Sequence, residues 1–102
     1  MKILGITACT AGVAHTYMAQ DAIIQEAKRR GFDVKVETQG MMGIENEIES
    51  EDLEDAQLLI VAADIGVENM DRFDDIPTYE CGTNDVIAHI TDIFDAALKL
   101  VN

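Results

Sequence analysis

A chain of 102 residues with 20 acidic against 7 basic side chains, a formal net charge of −13, has no basic face for nucleic acid or for anionic lipid. Hydrophobic residues make up 48% and aromatic residues 5%, with Trp absent, so one small domain over residues 1–102 with an aliphatic core is expected, as in a Val/Ile/Leu parallel sheet. The two cysteines, Cys9 and Cys81, lie too far apart in sequence for a disulfide framework or a zinc site, and no apolar run is long enough to span a bilayer.

The expected protein is therefore cytoplasmic, without metal or cofactor. Its acidity suits a protein partner with a basic rim, and equally suits plain solubility.

Lys2–Ala8 is an apolar strand, and Cys9–Thr16 is a loop of small residues. A helix is expected over Thr16–Arg30, with Ala19, Ala22, Ile23 and Ala27 on one face, Thr16 as cap and Gly31 as stop. Lys28, Arg29 and Arg30 suit the negative end of its dipole. Asp33–Thr38, where Val34 and Val36 alternate with charged residues, reads as an edge strand buried on one side. Gln39–Glu49, with Gly40 and Gly43, reads as loop, and Ser50 as the cap of a short helix over Glu51–Ala56. Leu58–Ala63 is continuously apolar and should be a central strand. Asp64–Asp75 is a loop with room for one helical turn, and Thr78–Cys81 is a short strand. A helix over Thr83–Val101 keeps its period through Val86, Ile87, Ile90, Ile93, Phe94, Ala97, Leu98 and Val101.

With right-handed crossovers this pattern gives an α/β fold: an open four-stranded parallel sheet, order 2-1-3-4, with helices on both faces, Rossmann-like or flavodoxin-like. The first and third strands then flank the switch point, where ligands bind at strand C-termini. Cys9 stands there. Strand, tight loop and helix N-terminus together hold an anion on backbone N–H groups, here those of Thr10, Ala11, Gly12, Val13, Ala14, His15 and Thr16. A thiol in the same positive field is a nucleophile, and a nucleophile facing an anion cradle suggests phosphoryl chemistry through phosphocysteine.

Gly12 permits a turn that a side chain would block. His15 either donates to a phosphate oxygen or holds the loop, and Thr16 has phosphate contact as a second role beside the cap. Asp64, at the end of the third strand, either orients the loop or bonds N–H groups of the turn. The second is the simpler role. Cys81, with one strand intervening, would lie roughly 10 Å from Cys9, too far for a disulfide, and reads as a small hydrophobe. His89 falls on the less apolar side of the last helix and reads as solvated.

Cys9-Thr10-Ala11-Gly12-Val13-Ala14-His15-Thr16 resembles the phosphorylation-site loop of fructose-type enzyme IIB domains of the bacterial phosphoenolpyruvate:sugar phosphotransferase system, whose pattern is Cys-Pro-Thr-Gly-Ile-Ala-His-Thr. The likeness continues through Tyr17-Met18-Ala19, Lys35-Val36-Glu37-Thr38-Gln39-Gly40, Gly43-Ile44-Glu45-Asn46, Ala62-Ala63-Asp64-Ile65 and Arg72-Phe73, and so covers nearly the whole chain. The resemblance implies that Cys9 takes a phosphoryl group from a phosphohistidine of enzyme IIA. Cys9 then passes it to a sugar, fructose or a related hexose or hexitol, bound by the membrane permease enzyme IIC. Thr10 replaces the family's Pro and adds an N–H, and Ala11 replaces a Thr and removes a hydroxyl.

The alternative is a cysteine enzyme of low-molecular-weight phosphatase or arsenate-reductase type, which carries Cys-x5-Arg at this place. Here the spacing is kept but His15 holds the Arg position, so no guanidinium fork stabilises a transferring phosphoryl group. A flavin- or nucleotide-binding module of the same fold would leave Cys9 unexplained and lacks aromatics to sandwich a flavin. A P-loop is excluded because no Gly-Lys-[Ser/Thr] follows the loop.

Overall fold

The two continuous apolar runs occupy the middle of a sheet, where both faces of a strand are covered. The computed structural model describes residues 1–9, 13–40 and 43–101, with the backbone alone at Val13. The strands are β1 (Lys2–Ala8), β2 (Asp33–Gly40), β3 (Gly43–Glu45), β4 (Ala56–Ala63) and β5 (Thr78–Cys81). The helices are α1 (Val13–Arg29), α2 (Ser50–Leu53), α3 (Thr83–Ala88) and α4 (Ile90–Leu98), with a 3-10 turn at Met70–Phe73. Sheet order is β3-β2-β1-β4-β5. β1 runs parallel to both β2 and β4, and β4 runs parallel to β5.

The expected parallel order is present within this sheet, but the sheet has five strands of mixed direction, not four parallel ones. The residues read as a Gln39–Glu49 loop contain the difference: β2 continues to Gly40, and β3 returns antiparallel beside it, pairing Thr38 with Glu45 and Gly40 with Gly43. Gly43 (φ 89°) and Asn46 (φ 52°) adopt the left-handed backbone that bounds this short return. Three residues reading Gly-Ile-Glu are too few to show a strand period. Met41 and Met42 lie outside the described residues. Nor is β2 buried on one side only, since Val36, Glu37, Thr38 and Gln39 are all buried.

Helix ends also differ. α1 begins at Val13, so Thr16 lies inside its first turn and does not cap it. Glu49, not Ser50, precedes the first turn of α2, and its N–H donates to the Asp52 carboxylate at 2.9 Å. α2 stops at Leu53 because the chain turns to enter β4 at Ala56. The single helix expected over Thr83–Val101 is two. His89 leaves helical geometry (φ −135°, ψ 43°), its N–H closing α3 on the Asp85 carbonyl and its carbonyl accepting from Ile93 N–H. One displaced residue leaves the apolar period almost intact, which is why periodicity does not reveal the break.

One face of the sheet packs Ile3, Val36, Leu58 and Ile60 against Ala19, Ile23 and Ala27 of α1, Val86 of α3 and Phe94 and Ala97 of α4. The other face packs Leu4, Ile6, Leu59 and Val61 against Ile48 and Phe73, with Leu53 and Met70 at the edge. Each such side chain contributes about 1.5–3 kcal/mol relative to exposure. α1 lies close on β1 at Gly5, where a Cβ would come within 3.1 Å of a Val36 methyl and 3.5 Å of Ile23 Cδ1.

Candidate functional site

β1 and β4 end side by side, Ala8 opposite Ala63, and the Asp64 N–H donates to the Ala8 carbonyl at 2.9 Å. This pairing brings Cys9 and Asp64 together at the carboxyl end of the sheet. Cys9 is 4% exposed, and among the described residues a cleft opens onto it. The thiol favours the ionised Asp64 carboxylate. That carboxylate is also clamped by the start of α3: Thr83 N–H donates to Oδ1 at 3.1 Å and Thr83 Oγ1 to Oδ2 at 2.5 Å. Gly82 leaves room for this, since a Cβ there would stand 3.2 Å from Asp64 Oδ1. The Thr83 hydroxyl and N–H, followed by the Cys9 thiol and the charge of His15, hold the Asp64 carboxyl below its ordinary range against partial desolvation.

α1 meets the same place from the other side. Thr7 Oγ1 donates to the Thr16 carbonyl at 3.1 Å, tying the end of β1 to the first turn of the helix. Thr16 is buried, and its own Oγ1 has no partner among the described residues. His15 is half-buried and Ala14 exposed. α1 carries no acidic residue of its own in its first turn. Thr10, Ala11 and Gly12 of the expected phosphate cradle lie outside the described residues, as does the side chain of Val13.

A cleft of about 440 Å³ opens onto Cys9 between the β2–β3 return and the segment after β4, walled by Gln39, Gly40, Ile44, Ile65, Gly66 and Glu68. Gln39 holds its two walls together: Nε2 donates to the Glu68 carbonyl at 3.2 Å, and Oε1 accepts from Glu68 N–H at 2.9 Å. Gln39 Nε2 also donates to Glu37, whose wholly buried carboxylate accepts from Arg72 Nη2 and from Ile48 N–H at 2.7 and 2.8 Å. Burial pushes the Glu37 carboxyl up, but Arg72, Gln39 and the Ile48 N–H together hold it below its ordinary value. Arg72 donates further to the Ile48 carbonyl at 2.7 Å and lies 4.6 Å over the Phe73 ring.

Cys81 is half-buried and donates to the Val61 carbonyl at 3.5 Å. Burial, with Asp85 and Asp64 adding to it, pushes its thiol up to about 11, the state of an inert thiol. Among the described residues no group of His, Cys, Asp and Glu is arranged to hold a metal ion. No helix among them is long and apolar enough to cross a membrane.

The family described as "PTS system, Lactose/Cellobiose specific IIB subunit" matches residues 4–96. The chain belongs to the phosphotransferase-system IIB family. The PTS system fructose-like EIIB component 2 of Escherichia coli K12 is 51% identical over 72 residues, covering 71% of this chain and 68% of that protein. The PTS system fructose-specific EIIB'BC component of Haemophilus influenzae is 44% identical over 98 residues, 96% of this chain but 17% of that protein. A crystallised domain of the fructose-specific IIABC component of Borrelia burgdorferi has a TM-score of 0.91 at 38% identity, covering 96% of this chain and 93% of that one.

Within this IIB fold Cys9, His15, Thr16 and Asp64 lie at one end of the sheet. The sequence reading misses the partner of Asp64, because the bond goes to Thr83 at the start of α3 and not to the turn after β4. It also assigns no role to Glu37, Gln39 and Arg72. The available signal was two charged or amide residues, Glu37 and Gln39, at alternate positions in a strand whose other face is apolar.

Proposed function

We infer that this IIB domain is a phosphoryl carrier: Cys9 takes a phosphoryl group from a phosphohistidine of enzyme IIA and passes it to a sugar held by the membrane component IIC. The observation that carries the reading is the position of Cys9, at the carboxyl end of β1 beside the first turn of a 17-residue helix with no acid there. Fructose is the sugar class suggested by the names of the relatives, and the domain would work on the cytoplasmic side against IIC. Phosphoryl transfer asks a protein mainly for position and charge stabilisation. In this reading the backbone N–H groups from Thr10 to Thr16 hold the equatorial oxygens, and the cleft between Ile44 and Ile65 admits donor and acceptor in turn.

His15 at the sixth position after Cys9 supports a carrier over the phosphatase-type alternative. It lacks the bidentate fork that would steady water's attack on the phosphoryl group, so phosphocysteine survives until its acceptor arrives. Incubation with phosphoenolpyruvate, the general phosphotransferase proteins and candidate IIA partners tests this. Wild type and Cys81→Ser should take up phosphate and Cys9→Ser none. Uptake that persists in Cys9→Ser overturns the assignment, and so does hydrolysis of aryl phosphates at a phosphatase's rate.

A further inference from the structure

Asp64 is a carboxylate that cannot easily move. Its backbone is fixed to Ala8, both of its oxygens are taken by Thr83, and Thr83 itself is fully buried. No lysine or arginine pairs with it among the described residues, in contrast to Glu26 and Glu37. While Cys9 is a thiol this arrangement is favourable, since the register of β1 and β4 sets Cys9 beside Asp64 and the thiol favours the ionised carboxylate. A phosphoryl group on sulfur replaces that thiol and puts further negative charge beside a clamped anion. Resting on the phosphocysteine reading, we propose that Asp64 is a positioning residue that orients the Cys9 thiol when empty and raises the transfer potential of Cys9 when loaded.

The step balances without a proton on Asp64. On loading, the P–N bond of the phosphohistidine breaks and the S–P bond forms. The imidazole nitrogen keeps the electron pair and receives, through solvent, the proton lost by the thiol. On unloading, the S–P bond breaks and sulfur keeps the pair, while the sugar oxygen bonds phosphorus. The hydroxyl proton returns to sulfur, which is again a thiol beside Asp64. The carboxylate stays ionised throughout, and its contribution is repulsion present in the loaded state and attraction in the empty one. A like charge brought beside another is worth on the order of tenfold in an equilibrium.

The test is the phosphoryl-exchange equilibrium with a phosphorylated IIA partner, read as the phosphorylated fraction of each protein, for wild type, Asp64→Asn, Asp64→Glu and Thr83→Val. Asp64→Asn keeps an oxygen for the Thr83 N–H and removes the charge. It should move the equilibrium about tenfold toward phosphorylated Cys9 and slow delivery to sugar. Asp64→Glu should restore most of the wild-type value, and Thr83→Val, which loosens the clamp but keeps the charge, should lower stability with a much smaller shift. Equal equilibria in wild type and Asp64→Asn overturn the inference while leaving the carrier reading standing. A shift in Thr83→Val as large as in Asp64→Asn also overturns it, because the effect is then structural. A wild-type chain that takes up no phosphate overturns the carrier reading and this inference together.

Discussion

Carboxylates at the two ends of the sheet are held in opposite ways. Where β1 and β4 begin, acids meet cations: Glu26 takes Arg29 and Arg30 at 2.5 and 2.7 Å, Asp95 takes Arg30 at 3.0 Å, and Asp52 takes Lys35 at 2.7 Å. Where they finish, the Asp64 carboxylate is bonded by the hydroxyl and the amide of Thr83, with Cys9 and His15 near it. The first arrangement satisfies charge and fastens the last turn of α1 to α4. The second fixes a charge in place with no lysine or arginine paired to it among the described residues, which leaves an electrostatic force to act on whatever binds at Cys9. Glu37 lies between these cases: it is buried and paired, yet its pairing braces the cleft.

The contrast breaks most visibly at Arg72. Replacing it with Met leaves Glu37 buried without its cation, and the expected loss of stability is about 3–5 kcal/mol by urea denaturation. A loss under about 1 kcal/mol would mean that the ion pair does not hold the cleft wall.

Glu26 sharpens the comparison through pH. Its hydrogen bond to Arg29, with help from Arg30 and against burial, pulls its carboxyl from 4.5 down to about 2. The folded value lies below the unfolded one, so the stabilisation is present above about pH 4.5 and disappears as pH falls toward 2. Glu26→Gln should cost about 2 kcal/mol at pH 7, after allowance for solvent screening on the Arg29 side, and progressively less below pH 4. A cost independent of pH would show that packing, not charge, is lost.

Smaller effects are expected near Cys9. Gly82→Ala places a methyl 3.2 Å from Asp64 Oδ1, and the Asp64–Thr83 clamp must give. About 1 kcal/mol of stability should go, with faster exchange of the Thr83 amide. Unchanged exchange there would show that the clamp has slack. Least of all, Tyr17→Phe removes the exposed hydrogen bond from the Tyr17 hydroxyl to Glu45, a bond that pushes the phenol up. Thermal denaturation should register almost no change in midpoint.

The central strands were legible because continuous apolar runs leave no other place for them, and the meeting of β1 and β4 follows from the parallel order. Cys9 and Asp64 as neighbours come from that order alone. The hydrogen bonds that fix the site were not legible, since Thr83 lies 19 residues from Asp64, and Arg72 lies 35 from Glu37. Such pairs depend on how loops return, and neither apolar period nor local spacing records that. β3 was hidden for a different reason: its three residues gain their place by pairing with Thr38–Gly40, a tertiary contact. His89 was hidden because a one-residue break scarcely disturbs a helical stripe.

The chemistry at the carboxyl end of the sheet turns on where the phosphoryl group sits. Phosphorus NMR of the phosphorylated wild-type domain, with mass-spectrometric mapping under conditions that preserve labile phosphates, reads this directly. The expected result is one S-phosphoryl signal assigned to Cys9, absent from Cys9→Ser and unaltered in Cys81→Ser. An N-phosphoryl signal mapped to His15 or His89 would contradict it.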